Sequence, residues 1–356
     1  MPQASAAPAS PHTQRAAELD AAGNHDEAVN ELARGVRAGD LPSTRVLGLR
    51  LLTGTHAPLL PLRGLQLLDE AVQKGDAEAA ARAAGVLALG VNRPPDWTAG
   101  LTWLARAALA GWQSAQQQLL ALCSAGAAEA VTQAGATDWG RLAQGIDLAA
   151  WLRPPAAAIL HADPPIAAIP GFVTARFCEV LIPQARGRLE RARVYDPVSR
   201  ENILDAHRSN TQATFDVNTV EFVHALLQAR IAAACGTDLR QLEPLAVLHY
   251  APGEQIADHF DFVDPDRTPD YAGELRRNGQ RIITFLVYLN DDYEGGATEF
   301  PRLGISHRGR TGDSLLFVNA LPDLSPDKRT LHAGRPPLNG EKWIISQFIR
   351  SHATRP

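Results

Sequence analysis

Apolar residues recur through the first 130 positions in Ala- and Leu-rich stretches of helical length, with glycines at their ends. A glycine just past the last apolar turn is an ordinary helix stop, so the stretches read as successive helices. Three of them align at one offset. Leu32-Ala33-Arg34-Gly35-Val36-Arg37-Ala38-Gly39-Asp40, Leu68-Asp69-Glu70-Ala71-Val72-Gln73-Lys74-Gly75-Asp76 and Leu104-Ala105-Arg106-Ala107-Ala108-Leu109-Ala110-Gly111-Trp112 each begin 36 residues after the one before. Gly54, Gly90 and Gly126 keep the same offset, as do Gly64-Leu65 and Gly100-Leu101. A two-helix unit cannot bury its apolar face alone, so the pattern predicts helical hairpins stacked as a short α-solenoid over residues 15–130. Residues 1–14 read as a loose, disordered tail.

The periodicity then breaks. Trp151-Leu152-Arg153-Pro154-Pro155 and Asp163-Pro164-Pro165 interrupt any helix, which puts a linker at 131–164. Beyond it, Leu245-Ala246-Val247-Leu248-His249-Tyr250, Arg281 to Leu289 and Trp343 to Ile349 are β-branched and aromatic runs of strand length. Short strands between Gly, Pro and Asp clusters predict a double-stranded β-helix, or jelly-roll, over 165–353, with flanking helices at about 175–193 and 219–235. The fold class expected is therefore multidomain α and β. The N-terminal unit resembles the Sel1-like branch of tetratricopeptide-type repeats, through its Leu/Ala helix, Ala-x-x-Gly stop and Gly-ended partner helix.

Bulk properties narrow the partners. At 356 residues, 45% hydrophobic and 21% charged, the chain is long and apolar enough for two cores. A net charge of −5 with no long Lys/Arg run argues against a nucleic-acid partner. No run of ~18 apolar residues is present, so no membrane span is expected. Three widely spaced cysteines suit a reducing compartment, and residues 1–20 lack a secretory pattern, so the expected location is the cytoplasm.

Candidate chemistry sits in the second half. In Tyr250-Ala251-Pro252-Gly253-Glu254-Gln255-Ile256-Ala257-Asp258-His259-Phe260-Asp261, the imidazole and the carboxylate lie two residues apart. On an extended chain such residues point the same way and can reach one metal ion. A His-x-Asp pair alone is common on protein surfaces. His332 and Lys342 add weight, because two His and one carboxylate on one octahedral face leave positions open for a co-substrate and oxygen. Asn339-Gly340 is a tight-turn signal, expected to fold the Lys342 strand back beside His332. A lysine there can neutralise the far carboxylate of a chelating dicarboxylate. His249, His307 and His352 are expected to be structural or solvated, and Trp343 to belong to the core.

With these stretches in view, residues 165–350 resemble the prolyl 4-hydroxylase group of iron(II)/2-oxoglutarate dioxygenases. The matching segments are Ile169-Pro170-Gly171-Phe172-Val173, Tyr250 to Asp261, Arg281 to Asn290 leading into Gly295-Gly296-Ala297-Thr298-Glu299-Phe300-Pro301, Gly312-Asp313-Ser314-Leu315-Leu316-Phe317, and His332 to Trp343. The resemblance implies that His259, Asp261 and His332 bind Fe(II) and carry catalysis, that Lys342 holds the distal carboxylate of 2-oxoglutarate, and that Tyr250 and Thr284 assist. It implies O2 as oxidant, ascorbate as a rescuing reductant, and hydroxylation of an unactivated C–H bond with release of succinate and CO2. The expected target is a prolyl or other residue of a protein or peptide, recruited by the helical repeats, with the oligomeric state open. Ile256 stands where prolyl hydroxylases carry an aromatic residue, and Asn210 departs within His207-Arg208-Ser209-Asn210-Thr211. Two other functions therefore stay open: a hydroxylase of a free amino acid or small metabolite, and a repeat scaffold that senses oxygen or 2-oxoglutarate.

Overall fold

The computed structural model describes residues 9–91, 93–123, 126, 137–196, 201–205, 207–264, 266 and 269–354. It divides into two compact units, one of residues 1–149 with 216–227, the other of 150–215 with 228–356.

The first unit is helical: α1 (Pro11–Ala21), α2 (His25–Arg37), α3 (Leu41–Thr53), α4 (Pro61–Gln73), α5 (Ala77–Leu89), α6 (Trp97–Leu109) and α7 (Gln113–Leu122). Helices α2, α4 and α6 begin 36 residues apart, and so do α3, α5 and α7. Local chemistry sets these bounds. Asp40, Asp76 and Asp96 accept hydrogen bonds from the backbone N–H of Ser43, Ala79 and Ala99, capping α3, α5 and α6. Each such cap stabilises its helix by about 1 kcal/mol. Gly54 and Gly90 end α3 and α5 in the left-handed region, while Gly126 is flanked by residues outside the described ones. Residues 11–14, expected in the tail, are helical because Ser10 caps α1 and Pro11 suits its first position.

Helix α3 packs on α4, and α5 on α6. The crossing recurs with the period: a Cβ on Gly64 would meet the Gly48 carbonyl, and one on Gly100 the Ala84 carbonyl. Residues 216–227 complete this unit, where Gln118 and Ser114 donate to the Glu221 carboxylate, a placement the residue pattern did not announce.

The second unit is built on two antiparallel sheets. The larger has eight strands in the order Ala158–His161, Ile166–Ile169, Ser314–Val318, Arg281–Tyr288, Lys342–Arg350, Leu245–Tyr250, Thr211–Phe215, Glu190–Arg191. The smaller has four, in the order Ile305–His307, Thr298–Phe300, His332–Gly334, Ile256–His259. Leu248, Tyr250, Leu286, Tyr288, Leu315, Phe317 and Ile344 of the larger sheet bury against Phe300 of the smaller, as in a jelly-roll.

Several boundaries differ from expectation. The 131–164 stretch holds helices Trp139–Gln144 and Leu148–Trp151 and the strand Ala158–His161, and residues 127–136 lie outside the described ones. The expected 175–193 helix is Ala175–Arg186, ending at Gly187. The 219–235 helix begins at Phe222, because Asp216 closes a turn through the N–H groups of Asn218 and Thr219. Helix Pro269–Asn278 was not anticipated. The largest correction concerns His332 and Lys342, which do not form one hairpin. Gly340 does turn the chain (φ +75), but Pro337–Asn339 pairs with Glu294–Gly295. Lys342–Arg350 lies in the larger sheet and His332–Gly334 in the smaller.

A Cβ at position 64 would stand 2.6 Å from both the Gly48 carbonyl and the Leu52 N, against a nearest approach of 3.1 Å for one at position 48. Gly64→Ala is expected to lower the stability of the helical unit by about 1–3 kcal/mol, with a smaller loss for Gly48→Ala. Urea titration followed by far-UV circular dichroism measures both, and an unchanged midpoint for Gly64→Ala would contradict the close crossing.

Candidate metal centre

His259 is the last residue of its strand, and the antiparallel register sets it directly opposite His332. The two rings lie 4.2 Å apart between centroids and are tilted by 51°. His259 Nδ1 lies 2.8 Å from the Ala257 carbonyl, and His332 Nδ1 lies 3.0 Å from that of Thr330. A carbonyl can only accept, so each Nδ1 carries the proton and each Nε2 keeps its lone pair, as a metal ligand requires. Asp261 follows two residues beyond His259, with Oδ1 3.4 Å from His259 Nε2 and Oδ2 3.2 Å from His332 Nε2. Ligand atoms of all three lie within 4.8 Å of one another. Burial alone would push the Asp261 carboxyl up, but the imidazoles of His332 and His259 hold it well below the usual range. Burial opposes protonation of His332 too, and the Asp261 carboxylate outweighs it, raising its pKa.

Asp20, His25 and His56 are a second group of possible ligands among the described residues, but their geometry differs. The His25 and His56 rings stack at 3.8 Å and 19°. Nearly parallel rings cannot both hold one ion in their planes. Arg50 also donates to both oxygens of Asp20.

Lys342 opens its strand opposite Tyr250 and is fully buried. Its Nζ has no hydrogen-bond partner among the described residues and sits 5.0 Å from the Tyr250 ring centroid. Burial brings its pKa down to about 7. Glycines allow close packing around it. A Cβ on Gly296 would stand 2.7 Å from the Tyr293 ring and 3.3 Å from Lys342 Cδ, and one on Gly334 would stand 3.3 Å from the Tyr250 hydroxyl. Gly334 is two residues from His332, about 7 Å along a strand, so the lysine lies toward the same end of the barrel as the triad. Phe317 and Phe300 flank the His332 ring at 4.6 and 5.7 Å, giving an apolar wall.

The Thr284 hydroxyl donates to Asp261 Oδ2 at 2.7 Å and accepts from Asn319 Nδ2 at 2.8 Å. Asn319 was not singled out in the sequence, although a lone amide at the end of an apolar strand is a signal that could have found it. Of the departures, Asn210 Oδ1 accepts from Arg208 Nε at 3.3 Å, and Ile256 packs on the apolar core. Trp343 is buried and its ring lies 4.3 Å from that of His249, between the two residues expected to be structural.

Two imidazoles and one carboxylate converging in a jelly-roll are the ligand set of the non-haem iron oxygenases. Residues 245–350 match the family model described as the 2OG-Fe(II) oxygenase superfamily. Prolyl 4-hydroxylase 1 of Arabidopsis thaliana is 31% identical over 208 residues, covering 54% of this chain and 71% of that protein. Prolyl 4-hydroxylase subunit alpha-1 of Gallus gallus is 34% identical over 165 residues, 46% of this chain, and the chain spans only 31% of that subunit. Among solved structures, the viral collagen prolyl hydroxylase of Paramecium Bursaria Chlorella virus-1 is 28% identical, with 52% of this chain and 96% of that one covered and a TM-score of 0.41. The chain belongs to the prolyl 4-hydroxylase-like 2OG-Fe(II) oxygenases. Iron(II) and 2-oxoglutarate fit the residues present: three side chains whose ligand atoms converge, and one buried ammonium with no hydrogen-bond partner among the described residues.

The lowered pKa of Lys342 has a pH signature. A bound carboxylate restores its proton, so 2-oxoglutarate binding above pH about 7 should take up a proton and weaken by up to tenfold per pH unit. Below that pH the uptake should vanish. In the ligand-free domain the unfolded chain holds the extra proton between about 7 and the ordinary 10.5, so stability should rise with pH across that window. Calorimetry of 2-oxoglutarate binding in buffers of different ionisation heat counts the proton. Zero uptake at pH 8 would show that Lys342 is already charged.

Proposed function

We propose that the protein hydroxylates a prolyl residue in a protein or peptide, with 2-oxoglutarate and O2 consumed and succinate and CO2 released. The observation that carries this reading is the joint presence of the His259, Asp261 and His332 cluster and the unpartnered, buried Lys342 Nζ in one jelly-roll. In balanced form, R–H, 2-oxoglutarate and O2 give R–OH, succinate and CO2.

Iron(II) with 2-oxoglutarate supplies the oxidising chemistry that activates O2 and cleaves the C–H bond. The protein's part is placement. His259 and His332 would offer Nε2 and Asp261 a carboxylate oxygen, while Lys342 would pair with the distal carboxylate of the co-substrate. Tyr250, buried beside Lys342, would help hold the co-substrate, and Phe300 and Phe317 would keep water from the reacting centre. Thr284 serves Asp261, as its hydrogen bond indicates. Ascorbate would serve as the reductant for turnovers in which no substrate is hydroxylated.

Support for a prolyl target comes from the relatives, which bear the name prolyl 4-hydroxylase. Helix bounds recurring every 36 residues support the Sel1-like repeat reading of the first unit, and stacked repeats offer an extended surface for a macromolecular substrate. Binding remote from the iron would hold the target residue in place.

The test uses the full chain, because residues 216–227 belong to the helical unit. Incubation with iron(II), 2-oxoglutarate and prolyl peptides of increasing length should give +16 Da on proline by mass spectrometry, with equimolar succinate. Longer targets should show the higher kcat/KM. Lys342→Ala should raise the KM for 2-oxoglutarate about 10- to 100-fold, the loss of a charge-assisted pair of about 1.5–3 kcal/mol. Oxidation of a free amino acid with peptides untouched would move the substrate class, and length-independent kcat/KM would remove the docking role.

A further inference from the structure

We propose that Asn319 is a positioning residue for the metal centre, acting through Thr284 to hold Asp261 in its ligating orientation. The inference rests on the ligand set just proposed. His259 and His332 are placed by a paired strand register, but Asp261 lies past the end of its strand, where no backbone ladder orients it. Its anchor is a line of buried side chains: Asn319 Nδ2 donates to Thr284 Oγ1 at 2.8 Å, and Thr284 Oγ1 donates to Asp261 Oδ2 at 2.7 Å.

The direction of this line follows from proton inventory. An ionised carboxylate has no proton to give, so the single hydroxyl proton of Thr284 must go to Asp261. The hydroxyl oxygen can then only accept, and an amide NH2 fills it where a carboxylate could not. Both anchors are themselves fixed. Thr284 is β-branched and lies on a strand opposite Phe317, which restricts its hydroxyl to few positions. The Asn319 N–H donates to the Ile282 carbonyl at 2.8 Å, and its carbonyl accepts from Asp327 N at 3.0 Å. Asn319 is completely buried, and its amide oxygen has no hydrogen-bond partner among the described residues. A half-satisfied amide at an otherwise apolar position is a standing destabilisation, and the bond to Thr284 is what offsets it. With Oδ2 held, Oδ1 is the oxygen left facing His259 Nε2.

Cobalt(II) titration of the full chain under argon tests the relay without turnover, reading both the dissociation constant and the ligand-field absorption bands. Asn319→Leu removes the donor at nearly constant shape, and Thr284→Val removes the hydroxyl while keeping an apolar, β-branched side chain that suits the strand. Each is expected to weaken Co(II) binding about 10- to 100-fold and to shift the bands, whereas Thr284→Ser should restore both toward wild type. His332→Ala serves as the ligand control. Wild-type affinity and bands in Thr284→Val, alongside loss of metal in His332→Ala, would overturn the relay and leave the ligand set standing. Wild-type binding in His332→Ala would overturn the ligand set and the relay together. A lowered melting temperature with unmoved bands would assign Thr284 and Asn319 to fold stability alone and would also overturn the proposal.

Discussion

The His259, Asp261 and His332 cluster depends on the register of one short antiparallel pair, in which His259 faces His332 across the smaller sheet. A strand alternates its side chains with a period of two, so a slip of one residue would send one imidazole to the opposite face and dissolve the cluster. The register is defended by packing rather than by length, since these strands have only four and three residues. Phe300, on the neighbouring strand, and Phe317, from the facing sheet, pack on the His332 ring and bury it. An apolar core thus does two tasks with the same atoms. It fixes the ligands, and it lowers the dielectric in which their charges interact.

That low dielectric makes the centre a source of instability in the ligand-free protein. Lys342 is buried with no hydrogen-bond partner for its Nζ among the described residues, whereas Asp261 and the facing imidazoles offset one another's burial. A buried polar group left unpaired is a destabilising feature. The eight-stranded sheet supplies the offsetting apolar burial, with Phe285, Val287, Leu315, Phe317 and Ile345 all completely buried. Binding of a cation and a dianion would then relieve strain as well as add contacts, so ligand affinity and fold stability are coupled through the same residues.

Much of this architecture was readable from residue patterns wherever the determining interactions are local. Capping aspartates, left-handed glycines and a fixed offset are properties of short windows, and the helices from α2 to α7 follow them. The strand Lys342–Arg350 was visible for a similar reason: it is buried on both faces and so reads as a continuous apolar run. Non-local pairings were hidden. The Asn339-Gly340 turn is real, yet a tight turn does not dictate that its flanking strands pair with each other, and here they join different sheets. The hydrogen bond from Thr284 to Asp261 was hidden for the same reason, since the carboxylate lies 23 residues away in sequence. The segment 216–227 joins the helical unit through Glu221, whose partners Ser114 and Gln118 are more than 100 residues distant.

The two histidine-and-aspartate clusters show which part of a metal centre is beyond composition. Asp20, His25 and His56 have the same residue types as Asp261, His259 and His332. In the first, flat stacking directs the imidazole lone pairs along separate planes, and a guanidinium already engages the carboxylate. In the second, a 51° tilt lets both ring planes pass through one point, carbonyl acceptors fix the tautomers, and a hydroxyl supports the carboxylate. The difference is carried by groups that never touch the ion. Ala257 and Thr330 contribute only their carbonyls, Thr284 only its hydroxyl. A site of this kind is therefore specified less by its ligands than by the rigid sheet that aims them, which is why placing it on strands rather than on surface helices matters for its chemistry.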